Sequence, residues 1–407
     1  MSTKDNKSQG FTRRTLLAAS AMGALTGLAR STRAQAPSVA VIGAGAFGGW
    51  TALELLRRGA RVTLVDTWGP GNSRASSGGE TRVIRSTYGP EEIYVRMVAR
   101  SLQLWQENEK RWNRHLFRRR GVLWFVGEED DLEKSSLPLL REAGIAFEEL
   151  SAGELEKRFP QINFSGIRWG IYEPDSGYLT ARYACGVVLE GFLAEGGEFR
   201  QAEVEPGSVK SGKMAELRLS DGSSLAADQY VFACGPWLGR VFPDVIGDLI
   251  RPTRQEIFYF GTPPGDLRYS EGHTPVWLDN GARLYYGIPG SDRRGFKVAD
   301  DSRGPLFDPT SGERTPSPEG LEAARAYLEF RFPGMKGAPL LESRVCTYEN
   351  TIDQDFIVDR HPGADNAWIV GGGSGHGYKH GPAMGELVAK QVLGSQPVEP
   401  KFALTRF

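Results

Sequence analysis

The alternation of apolar and polar residues along the chain gives its first strong signal at Ser38. The run Val39 to Ile42 is β-branched and apolar, as in a buried strand, and it drives straight into Gly43-x-Gly45-x-x-Gly48. Ala52, Leu53, Leu55 and Leu56 then follow a helical pattern, and Val62 to Val65 reads as a second strand ending on Asp66. Further on, Glu91 to about Lys110 has helical spacing, and Gly121 to Val126 reads as a strand. Leu132 to Phe159 reads as helix in pieces, broken near Pro138 and Gly144, and Tyr178 to about Glu195 as another helix. From Glu203 to Ala233, short strand-like runs are separated by turns at Ser211-Gly212 and Asp221-Gly222, the second being the clearer hairpin. Strands are expected near Gln255 to Phe260 and Ala282 to Tyr286, and Asp300 to Gly320 reads as a long polar loop of the lid or disordered kind. The chain closes with strands at Phe356 to Asp359 and from Ala367. The second leads through Gly371 to Gly377 into a helix from Met384 to Leu393, which puts a second helix start beside a ligand. No internal repeat is present.

The opening strand, glycine turn, helix, strand and acid form a dinucleotide fingerprint. Gly43 permits the tight turn, Gly45 lets a pyrophosphate approach the backbone, and Gly48 lets helix and strand pack closely. The phosphates would sit on the helix N-terminus, whose unpaired amides favour anions. Asp66 is placed to accept hydrogen bonds from the adenosine ribose. A glycine-rich turn that binds nothing is the bland alternative, and the surrounding strand–helix–strand context argues against it. The fingerprint does not separate NAD from FAD.

Composition adds mostly exclusions. The 407 residues carry a net charge of −1, with 40% hydrophobic and 24% charged residues, so nothing points to nucleic acid or an anionic membrane surface. Three cysteines (Cys185, Cys234 and Cys346) are too few and too scattered for a disulfide framework or a zinc site. Residues 1–36 read as a separate leader. Arg13-Arg14 precede a small-residue apolar segment, Thr15 to Ala29, and Ala34-Gln35-Ala36 resembles a cleavage site. Paired arginines are the mark of twin-arginine export, and the apolar segment is too short for a stable membrane anchor. The expectation is an exported protein, periplasmic or extracellular, that meets the twin-arginine translocase on the way and inserts in no membrane.

Candidate chemistry clusters in the second half. Arg82 and Arg85 lie three apart, on one face if the segment is helical. With Lys379 they would suit bidentate capture of a carboxylate, or they are solvated surface charge. Lys297 is either a strand-surface lysine or a fixed cation in a dry site. Cys346 is by type a small buried hydrophobe. His376 and His380 are four apart without a further ligand in a recognised spacing, so no metal is expected.

Taken together, the motifs resemble the monomeric sarcosine oxidase family, FAD-dependent oxidases of secondary amines and N-methyl amino acids. The resemblance is carried in order by Gly43-x-Gly45-x-x-Gly48, Gly79-Glu-Thr-Arg-Val-Ile-Arg85, Tyr285-Tyr286-Gly287, Gly295-Phe-Lys297, Cys346-Thr-Tyr348 and Gly375-His-Gly-Tyr-Lys379, and spans Val39 to about Val392. It implies an α/β fold with an α+β second lobe: a Rossmann-like FAD-binding domain and a discontinuous, sheet-based catalytic domain over the flavin. The expected boundaries are 37–118, 178–250 and 353–407 for the first and 119–177 with 251–352 for the second. The resemblance makes Arg85 and Lys379 the substrate-carboxylate pair, with Arg82 near the flavin, and it puts Lys297 by the ring nitrogen, where its charge speeds reduction of dioxygen. Tyr286 and Tyr348 would shape the substrate pocket, and Cys346 would carry a thioether to the flavin. Gly373, Gly375, Gly377 and Lys379 would surround the pyrimidine. Gly78 and Asp301 depart from the family, each standing where members with sarcosine activity carry a histidine. An acid at position 301 resembles the deglycating oxidases and favours a cationic or hydroxyl-bearing substrate group. The resulting expectation is a monomeric amine oxidase that takes a small N-methyl, cyclic or glycated amino acid and yields an imine and hydrogen peroxide. The rivals are a dehydrogenase of the same fold that passes electrons to a quinone or carrier, and a redox-silent FAD-binding module.

Overall fold

The structure, a computed structural model, describes residues 36–281, 283–290 and 292–407. The arginine pair and its apolar segment lie outside the described residues, as does Ala282 at the start of one expected strand. Residues 37–407 form one compact unit built on two large sheets. None of the helices among the described residues is long and apolar enough to cross a membrane.

The first sheet grows from the opening motif. Strand Ser38–Ile42 pairs in parallel with Arg61–Asp66 on one side and Gln229–Phe232 on the other. Glu198–Gln201 closes one edge, and Ala364–Gly371 with Ile357–His361 the other. Helices Ala46–Arg57, Ala181–Ala194 and Gly381–Val392 cover one face, and Met214, Leu217, Leu238, Phe242 and Ile246 pack on the other, so the two-sided apolar runs of the strands are buried. Gly48 is dictated by this packing, since a Cβ there would lie 1.8 Å from the Gly43 carbonyl oxygen. The architecture is α/β, as expected.

The second sheet has eight strands in the order Leu340–Thr351, Ile250–Phe260, Phe296–Asp300, Leu284–Ile288, Val276–Asn280, Val122–Val126, Trp169–Glu173 and Glu148–Ser151. Its two faces differ in chemistry. Phe258, Phe260, Phe296, Val298, Trp277 and Phe125 point to one side, where helix Pro318–Arg331 packs on them through Ala324 and Leu328. Gly287 permits this, because a Cβ there would lie 2.2 Å from the Trp277 ring. By the period of two, the opposite face carries Tyr259, Lys297, Ile257, Ala299, Tyr286 and Cys346.

Several expectations are corrected. The helix Asp131–Glu142 runs through Pro138 because Leu137 and Leu140 are buried on either side of it, and it ends at Gly144 with φ 67°. Tyr178 belongs to a strand, Gly177–Leu179, that pairs with Arg82–Ile84 and Phe117–Arg119, so the following helix starts only at Ala181. Arg82 therefore lies on a strand, and the helical face for Arg82 and Arg85 does not exist. The last helix begins at Gly381 rather than Met384, directly after a 3-10 turn, Tyr378–His380, and packs against Trp50; Gly377 and Tyr378, at the start of that turn, line the cavity. The expected polar loop ends at Pro318. It is anchored by Arg240–Asp308 at 2.6 Å and by Trp237 Nε1 donating to Thr310 Oγ1 at 2.8 Å.

Candidate cofactor and substrate site

A cavity of about 560 Å³, within the usual range for ligand sites, runs between the first sheet and the edge strand Leu340–Thr351 of the second, which lines it with Tyr348 and Glu349. One end is formed by the glycine turn. Gly43 takes φ 105° beside Ala233, and Gly45 caps the opening helix with no side chain; the Ala46 amide donates to Ser77 Oγ at 3.0 Å, and Gly45, Ala46 and Phe47 line the cavity where the helix begins. Such a helix start suits a diphosphate. Asp66 lines the same end, but its carboxylate already accepts from the amides of Ala44 (2.7 Å), Trp68 (2.9 Å) and Gly69 (2.7 Å). It ties the glycine turn to the next loop, which leaves it only part of its capacity for a ribose. Trp68 and Trp237, 4.9 Å apart, add a flat apolar lining that suits a purine.

At the other end the lining passes to Arg82, Tyr348, Gly373, Gly375 and Gly377. Gly375 is needed under Tyr348, whose ring a Cβ would meet at 2.6 Å. Arg82 donates to the carbonyls of Ser76 at 2.6 Å and Thr81 at 2.8 Å. Lys297, 1% exposed, shares the Thr81 carbonyl at 3.5 Å, and its ammonium lies 5.0 Å from the Tyr286 ring centre. Burial, aided by the Arg82 charge, pushes the Lys297 pKa down to about 7.

Arg85 and Lys379 meet over one aromatic ring. The Arg85 guanidinium sits 4.4 Å from the Tyr88 ring centre and 5.0 Å from that of Trp124, and the Lys379 ammonium sits 4.9 Å from Tyr88. Lys379 donates to the His376 carbonyl at 2.9 Å. Burial and the neighbouring Arg85 hold its pKa well below the usual lysine range. The Tyr88 hydroxyl bonds both His376 Nδ1 (3.1 Å) and His380 Nε2 (2.8 Å), and burial beside Lys379 keeps both imidazoles neutral. Among the described residues, no three His, Cys, Asp or Glu side chains gather to hold a metal. Asp301 accepts from the Tyr348 hydroxyl at 2.7 Å, and burial raises its pKa against that bond. Cys346 is buried among Ile257, Tyr259, Ala299 and Tyr286, on the sheet face that carries Lys297. A histidine in place of Gly78 has no room in this turn, since a Cβ would stand 2.0 Å from the Asn72 carbonyl oxygen.

Sequence reasoning missed four contributors. Tyr88 and Trp124 form the aromatic floor beneath Arg85. Glu173, fully buried, accepts from the amides of Ser86 and Thr87 and from the hydroxyls of Thr87 and Ser176, and so fixes the loop that presents Arg85 and Tyr88. Glu349 lines the cavity beside Gly373. Only Glu349 left a local signal, an acid inside a strand pattern two residues before Thr351.

Comparison with known proteins agrees with this geometry. The FAD dependent oxidoreductase family matches residues 38–391. Monomeric sarcosine oxidase of Bacillus sp. (strain B-0618) is 30% identical over 369 residues, covering 87% of this chain and 92% of that protein. N-methyl-L-tryptophan oxidase of Salmonella agona (strain SL483) is 30% identical over 377 residues, covering 90% and 96%. The solved L-proline dehydrogenase of P. horikoshii shares the fold with a TM-score of 0.81 at 19% identity, over 91% of this chain and 98% of that one. On the family match and these relatives, the chain belongs to the FAD dependent oxidoreductases, in the group related to monomeric sarcosine oxidase.

Proposed function

We propose that the protein oxidises a small N-substituted amino acid at the carbon beside its nitrogen, with dioxygen as the final acceptor. The observation that carries this reading is the pairing of Arg85 and Lys379 over Tyr88, both acting on Asp301, which bonds the cavity-lining Tyr348. Half-buried Arg85 and buried Lys379 bond only to backbone carbonyls among the described residues, which leaves their remaining donors for a carboxylate, and an anion there would favour the charged form of Lys379. When bound, FAD would supply the two-electron acceptor for converting the amine to an imine, with dioxygen reduced to hydrogen peroxide. Arg85 and Lys379 bind the substrate carboxylate, which turns the amine end toward Tyr348, Tyr286 and Asp301. Because Asp301 is buried with a raised pKa, it can accept the proton that a substrate ammonium must lose before oxidation. It also suits an N-substituent bearing a hydroxyl or positive charge better than a second carboxylate. Arg82 supplies fixed positive charge where negative charge develops, and Lys297, with its pKa lowered to about 7, adds a charge that developing negative charge would favour. Gly43, Gly45 and Gly48 hold the diphosphate, and Gly373, Gly375 and Gly377 line the ring end. Cys346 is the proposed thioether attachment point, supported by its position on the face that carries Lys297.

The leader in residues 1–36 supports export by the twin-arginine route, the route for proteins that fold and acquire a cofactor first. The deciding experiment is a panel of N-methyl, cyclic and glycated amino acids, scored for peroxide release in air and for dye reduction without it. Peroxide formation with at least one carboxylate-bearing amine is the expected result. Dye reduction without peroxide would make it a dehydrogenase, and a flavin that no amine bleaches would end the enzymatic reading.

A further inference from the structure

The cavity contains an acid for which the reaction has no use. Glu349 is 8% exposed and lines the cavity, yet its named partners are a hydroxyl and an amide rather than a cation. Ser76 Oγ donates to Oε2, and the Gly373 amide donates to Oε1 at 3.3 Å. A carboxyl group has about four acceptor positions, so these two bonds leave about half of its capacity unused in a residue that lines the cavity. Burial raises its pKa, against the Ser76 and Gly373 bonds and the charge of Arg82, which is near but not bonded to it. Two backbone segments have also made room for it. A Cβ at Gly235 would lie 3.2 Å from Oε2, and one at Gly373 would lie 2.9 Å from Oε1.

Its place along the cavity follows from its neighbours. On one side is Gly235, two residues beyond Ala233, which touches the diphosphate turn at Gly43. On the other is Ser76, whose carbonyl accepts from Arg82 at the ring end. Glu349 thus stands between the two ends. In FAD, the part between diphosphate and ring is a ribityl chain carrying three hydroxyls.

We propose that Glu349 holds the cofactor by its middle, exchanging hydrogen bonds with the ribityl hydroxyls. The proposal rests on the FAD reading of the cavity. Its test uses the full chain with Cys346→Ser, so that flavin stays exchangeable, and titrates the apoprotein with FAD, ADP and an FAD analogue lacking the ribityl hydroxyls. Adding Glu349→Ala is expected to weaken FAD about ten- to a hundredfold, the usual worth of hydrogen bonds to a charged group. ADP, which lacks the polyol, should bind within twofold of the parent, and so should the deoxygenated analogue. Unchanged FAD affinity would overturn the proposal. If FAD and ADP weaken alike in Glu349→Ala, the near-isosteric Glu349→Gln decides: selective loss of FAD supports the contact, and parallel loss overturns it. A parent apoprotein that binds no FAD would instead sink the reading of the whole site, and this proposal with it.

Discussion

Lys297 shows how little a residue type says before its surroundings are known. In the sequence it is a lysine between Phe296 and Val298, and alternation alone sends it to whichever face the strand turns outward. In the fold that face is the interior, and burial next to Arg82 brings its pKa to about 7. Its charge is therefore complete well below pH 7 and lost as pH rises through that value. If this charge assists dioxygen reduction, the oxygen half-reaction, followed by stopped flow, should be faster at pH 6 than at pH 8. Lys297→Met should slow it by at least tenfold and flatten that profile, with substrate reduction changed much less. Equal slowing of both half-reactions would remove the role. Arg85, Lys379 and Tyr348 were legible through the motifs that contain them. Tyr88, Trp124 and Glu173 were not, because what sets them in the site is distant in sequence: Tyr88 is held by His376 and His380, Trp124 lies on a strand far along the chain from Arg85, and the Glu173 bonds span 86 and 87 residues.

Among the elements, the opening strand–turn–helix was readable because its meaning is local, a glycine at each point of close approach. The second sheet was only partly readable. Its strands are found where β-branched and aromatic runs occur, but nothing local states that Val276–Asn280 pairs in parallel with Val122–Val126 while its other neighbour is antiparallel. Pro138 was misleading for a related reason, since the burial of Leu137 and Leu140 outweighs the lost hydrogen bond. The helix over the apolar face is fixed at its end by a buried ion pair, Arg331 to Asp279 at 2.7 Å, with Tyr327 also donating to Asp279 at 2.9 Å. Removing one partner strands the other in an apolar setting. Asp279→Ala is expected to cost about 3 kcal/mol or more in urea unfolding, and Asp279→Leu with Arg331→Met should recover much of that loss. Additive losses in the double variant would show that the pair itself carries no coupling.

For the molecule as a whole, family membership was legible because widely spaced motifs appear in one order, which no single element could establish. The sheet-face arithmetic then explains why those motifs belong together: alternate residues of several strands deliver Tyr259, Lys297, Tyr286 and Cys346 to one surface. A covalent flavin link predicts that acid precipitation leaves the yellow colour in the pellet, whereas Cys346→Ser releases it to the supernatant. Colour in the supernatant for both proteins would rule out the link. The segment between the second sheet and its covering helix has one more consequence. Thr310 lines the cavity, and the segment is fastened to the first sheet's side by Arg240 and Trp237. The two moorings, Arg240 and Trp237, line the cavity as well. Whatever fills that space therefore touches both the strap and its fastenings, so loosening the fastenings should weaken the hold on the guest, and the guest should in turn steady the strap.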